Sequence, residues 1–97
     1  MIQVVLPAHL RTLAGVDGDV TVDVKGQKVE VWTYDGGLPG PLIRVRVGHR
    51  LIVHFTNTLP QATTVHWHGM RIPIQMDGVP DISQPAVKPG EQFTYDF

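Results

Sequence analysis

The stretch LIVHFTNTLPQATTVHWHG, residues 51–69, decides how the chain is read. In LIVHFTN, 51–57, apolar and polar positions alternate, with Leu51, Val53 and Phe55 on one side and Ile52 and His54 on the other. Strict alternation is the mark of a half-buried β-strand. TLPQAT reads as a loop, and TVHWH, 64–68, as the next strand. Side chains two apart on a strand share a face and sit roughly 6.5–7 Å apart along the chain. His66 and His68 therefore point one way with Thr64, and Val65 and Trp67 point inward. Gly69 ends the strand.

The same period continues outward. QVVL (3–6) is expected as a first strand, and PAHLRTLAG (7–15) as a loop or one weak helical turn. DVTVDV (19–24) puts Val20, Val22 and Val24 on one face. KGQ (25–27) is expected as a three-residue hairpin turn, returning into KVEVWTY (28–34) with Val29 and Val31 on one side. After the turn-rich DGGLPGP, LIRVRV (42–47) alternates again, and GHR turns the chain. An irregular stretch with four prolines follows the histidines, and QFTYDF (92–97) is expected as the last strand, with Phe93, Tyr95 and Phe97 on one face. Seven or so short strands separated by turn signals point to a β-sandwich or barrel.

The chain has 97 residues, room for one small domain. Its net charge is -1 and the charges are scattered, so no basic run suggests nucleic acid or an anionic membrane. No apolar run approaches a membrane span. The start, MIQVVLPAHL, lacks the basic n-region and long apolar core of a signal peptide; that fits a cytosolic protein or one whose signal is removed, and the compartment stays open. There is no cysteine, which removes disulfides, zinc–thiolate sites, a cysteine nucleophile and a type 1 (blue) copper centre, the last because it needs a thiolate.

A strand-borne His-x-His is either half of a metal site or two solvent-facing histidines on an edge strand. Packing of Trp67 would hold such ligands on a rigid element. Imidazole suits zinc, copper, iron and nickel alike, and two ligands are fewer than a catalytic or closed site takes. A stand-alone zinc or iron enzyme would need a further ligand, and none stands at sensible spacing. Asp77 in MDGVP is a candidate partner, but Asp-Gly is also a common turn dipeptide. His9, His49 and His54 read as structural or solvent-exposed. Met70 and Met76 are soft ligands in principle and packing residues in practice. Ser83, the one serine, has no neighbouring base, and Asp77 and Asp81 lie among turn residues with nothing to mark a hydrolase pair.

Taken together, GGLPGPLIRVRVG leading into LIVHFTNTLP, then HWHG, then MDGVPDISQPAVKPGEQFTYDF, closely resembles the first cupredoxin domain of the laccase-like multicopper oxidases, over residues 28–97. The resemblance implies an all-β, cupredoxin-like Greek-key sandwich or barrel, incomplete at its C-terminal edge. It implies copper as cofactor, with His66 on the type 2 copper, His68 on one of the paired type 3 coppers, and Asp77 as a carboxylate supporting protons and water at the trinuclear cluster. The implied chemistry is one-electron oxidation of substrates and reduction of O2 to water. Such enzymes are typically secreted or periplasmic. The family's cluster needs eight histidines in four motifs, and only one motif is here, so the chain alone is expected to be inactive.

Residues 4–24 show a weaker resemblance to the opening hairpin of β-grasp (ubiquitin-like) sulfur carriers, although the chain ends in Asp96-Phe97 rather than Gly-Gly. Two unlike resemblances meeting near residues 19–28 raise the alternative of a chimeric or engineered β-module with at most adventitious metal binding; an ordinary first hairpin behind a coincidental leader is the plainer reading. The stop inside a strand pattern at Phe97 suggests a single partial domain, 1–97, either truncated or finished by another chain. The partners expected are the remaining cupredoxin domains of a parent enzyme or other copies of itself, an open sheet edge favouring a homo-oligomer.

Overall fold

The computed structural model describes residues 11–14 and 20–97. The strand expected at 3–6, the start of the 7–15 loop and most of the leader hairpin lie outside the described residues. The architecture is all-β. A three-stranded sheet has the order β1–β4–β5, with β1 (Arg11–Ala14) parallel to β4 (Ile52–Thr56) and β5 (Gln92–Asp96) antiparallel to it. A separate hairpin pairs β2 (Val20–Val24) with β3 (Gln27–Val31).

The core is the inward face of β4 and β5 closed by two loops. Leu51, Val53, Phe55, Val65, Val87 and Tyr95 form one buried cluster, with Ile43, Val45, Trp67, Met76, Phe93 and Phe97 packed on its margin. Val53 faces Tyr95 and Phe55 faces Phe93 across the ladder. The Phe55 and Tyr95 rings are tilted 56° at 6.5 Å, a favourable aromatic arrangement. The alternation expected for 51–57 and 92–97 is the alternation seen.

Asn57 is completely buried and completely satisfied. Its side-chain amide donates to the carbonyls of Gln61 and Val87, and its side-chain oxygen accepts from Leu59 N–H. Its own N–H donates to Glu91 and its carbonyl accepts from Gly90 N–H. A buried amide left unpaired would be costly; paired in this way, it staples the 58–63 loop and the 87–91 turn to the end of β4.

Four expectations are corrected. Residues 11–14 form a strand rather than a loop or helical turn, because β4 offers a parallel edge that no local pattern announces. The hairpin turn is two residues, Lys25 (φ 53°) and Gly26 (φ 81°), both left-handed, with Asp23 Oδ1 accepting from Gly26 N–H. The segments 42–47 and 64–68 carry no strand ladder, and each runs into a turn, at Val47-Gly48 and His68-Gly69. Their alternation survives in part: Ile43 and Val45 pack on the core while Arg44 and Arg46 are exposed, but Val47, read on the side of Ile43 and Val45, is exposed as well. The described residues thus hold five strands, the strand expected at 3–6 lying outside them.

Candidate metal centre

The His66–His68 segment is anchored at its start and along its inner face. Thr63 and Val87 exchange two backbone hydrogen bonds, of 3.0 and 2.8 Å. Val65 is buried, and its N–H donates to the Tyr95 hydroxyl at 2.8 Å. The Trp67 ring stands edge-on to Tyr95 at 5.6 Å and to Phe97 at 5.1 Å. Burial pushes the Tyr95 phenol above its ordinary pKa, with the hydrogen bond from Val65 acting weakly the other way, so the hydroxyl stays protonated.

With Val65 and Trp67 turned inward, the two imidazoles are left outside together. Their centroids are 5.5 Å apart and the rings are nearly perpendicular, at 75°. His66 Nδ1 lies 2.6 Å from the backbone carbonyl of Asp77. A carbonyl only accepts, so Nδ1 carries the hydrogen, and in the neutral ring Nε2 holds the free lone pair. The Asp77 carboxylate is next to the same nitrogen, with Oδ1 at 3.5 Å.

Asp77 reaches this position as part of a turn, as its dipeptide suggested. Ile74–Met76 form one 3-10 turn, capped by Asp77 N–H donating to Ile74. Met76 sulfur accepts from Asp96 N–H, tying the turn to β5. Gly78 follows with φ +72° and is buried beneath Val65 and His66. Thr64 Oγ1 donates to the Gly78 carbonyl at 2.5 Å.

Of the sequence-derived candidates, His66, His68 and Asp77 come together and the others do not. His9 lies outside the described residues. His49 is exposed in a turn, and His54 Nδ1 bonds Thr94 Oγ1 on the outer face of the sheet. Met70 is exposed, Met76 is engaged by β5, and Ser83 is occupied by the backbone of Val79. Asp81 is an exposed turn residue with φ 63°. Among the described residues no group of three or more His, Cys, Asp or Glu is placed to hold a metal. What the arrangement offers is two outward imidazoles, His66 with Nε2 free of any protein partner, and imidazole is a donor that suits copper among other metals. Thr64, Gly78 and Tyr95 support it and were not singled out by sequence reasoning, since each acts through contacts 14 to 30 residues away.

The profile of the family described as "Multicopper oxidase" matches residues 17–97. Copper resistance protein A of Pseudomonas syringae pv. tomato is 39% identical over 80 residues, 82% of this chain and 13% of that protein. Laccase-1 of Cryptococcus neoformans var. grubii is 42% identical over 74 residues, 74% of this chain and 12% of that protein. The chain thus spans about an eighth of the length of these curated relatives. Among solved structures, the multi-copper oxidase from Pseudomonas parafulva superposes with a TM-score of 0.80 at 48% identity, covering 92% of this chain and 22% of that one. Sequence profile, relatives and fold agree: the chain is a cupredoxin segment that belongs to the multicopper oxidase family, whose cofactor is copper.

Proposed function

We propose that this chain supplies one histidine pair, His66 and His68, to the type 2/type 3 trinuclear copper cluster of a laccase-like multicopper oxidase. The observation that carries the reading is the outward pair of imidazoles on an internally anchored segment, with His66 Nδ1 engaged by Asp77 and Nε2 free. Copper bound in such a cluster supplies the electron-transfer chemistry that reduces O2 to water while substrates lose electrons one at a time. This chain's own part is positional. Val65 and Trp67 fix the segment, and the Asp77 carboxylate stands where it can hold or pass a proton beside the ligands. Partners that orient ligating imidazoles tune both affinity and bound water.

The other ligands come from segments beyond this one: the remaining cupredoxin domains or, in isolation, a second copy of the chain. Isothermal titration with Cu(II) tests the reading. One site is expected, weakened about tenfold or more by His66→Ala or His68→Ala, with no oxygen uptake by the copper-loaded chain. Binding unchanged in both variants would refute it, and sustained oxygen uptake would refute the claim that the chain holds only part of the cluster.

A further inference from the structure

The histidine pair does not rest on its own segment alone. The turn Asp77-Gly78 is pressed against the backbone of residues 64–66 by three contacts. Thr64 Oγ1 donates to the Gly78 carbonyl at 2.5 Å. His66 Nδ1 donates to the Asp77 carbonyl at 2.6 Å. Between them, Gly78 lies so close that a Cβ built there would overlap the Val65 carbonyl oxygen, 2.5 Å from its carbon and 3.1 Å from His66 N. Gly78 also has φ +72°, in the left-handed region. No other residue meets both demands, one of space and one of conformation.

We propose that Thr64 and Gly78 are positioning residues that hold the Asp77 carbonyl under His66 Nδ1, so that the imidazole is committed before any metal arrives to the tautomer offering Nε2. Gly78 permits the approach and Thr64 clamps it. The Asp77 carbonyl is main chain, so its position depends on the turn rather than on the identity of the Asp77 side chain. One group, the Asp77 carbonyl, thus meets the ring nitrogen, and the other two fix the turn that carries it. This inference rests on the reading of His66 as a ligand for its consequence, but not for its local content, which concerns the ring with no metal present.

The test uses the metal-free 97-residue chain with 15N-labelled histidine at about pH 8, where long-range proton–nitrogen NMR reports the tautomer of each ring. The wild type should show His66 with hydrogen on Nδ1. Thr64→Val, close to isosteric, leaves the Gly78 carbonyl without its donor, and should give His66 a mixed tautomer population. It should also weaken Cu(II) binding about tenfold. Thr64→Ser should restore both. Gly78→Ala is the stronger variant but endangers the fold, so the Thr64 pair decides. A single Nδ1-hydrogen tautomer and unchanged copper affinity in Thr64→Val would overturn the proposal. A wild type that binds no copper, with the Thr64→Val tautomer shift still present, would sustain the positioning role and instead overturn the assignment of His66 as a ligand.

Discussion

His66 and His68 were legible as a pair because alternation is a local property: any extended backbone sends i and i+2 to one side. Their supports were not. Gly78 reads as half of an Asp-Gly turn, and only the folded chain reveals that its missing side chain makes room for the Val65 carbonyl. Asn57 reads as the polar end of a strand, yet it is a buried hub whose partners reach as far along the chain as Val87, Gly90 and Glu91. Another residue-scale contact carries a pH dependence. Arg50 makes a two-pronged bond to Asp96, with both N–O distances 2.6 Å, and this bond, with its attraction, holds the Asp96 carboxyl below its ordinary range. A carboxylate with a depressed folded value adds stability above the unfolded value, about 3.9, and loses it as pH falls through the lower folded one. Urea midpoints measured against pH should therefore fall more steeply below about pH 4 in the wild type than in Asp96→Asn. The difference should shrink in high salt because Arg50 is largely exposed. Parallel curves would show that the pair contributes nothing measurable.

Among the elements, β4 and β5 were read correctly because both carry the period of two and both bury the apolar side of it. The segments 42–47 and 64–68 carry the same period without a ladder. Alternation records which way side chains face; hydrogen bonding needs a neighbour at the right distance, and that is not encoded locally. The hairpin β2–β3 shows the converse. Its register sets Val22 opposite Val29 and Val20 opposite Val31, and Val24 and Val29 are exposed on it. β5 likewise has no strand on its outer side among the described residues. Exposed valines and an open edge both favour pairing with another chain. The isolated chain is therefore expected to self-associate, and light scattering at working concentration should return more than one chain mass. A monomer across the concentration range would contradict this.

At the scale of the molecule, composition excluded more than it identified. The absence of cysteine removed the thiolate needed for a blue copper centre, and the scattered charge gave no sign of nucleic acid. The positive identification came from one motif in its frame of turns, HWHG with LPGP before it and MDGVP after it, and the family match over 17–97 agrees with that reading. The fold places two imidazoles outward, and among the described residues no group of three or more His, Cys, Asp or Glu stands where it could hold a metal. On the proposed reading, His66 and His68 together present a copper half-site. Electron paramagnetic resonance of the chain loaded with one equivalent of Cu(II) tests it most directly, through nitrogen hyperfine structure. Two equivalent imidazole nitrogens are expected, one remaining in each single His66→Ala or His68→Ala variant and none in the double variant. A nitrogen pattern that persists unchanged in the double variant would mean that copper binds elsewhere, and would contradict the account.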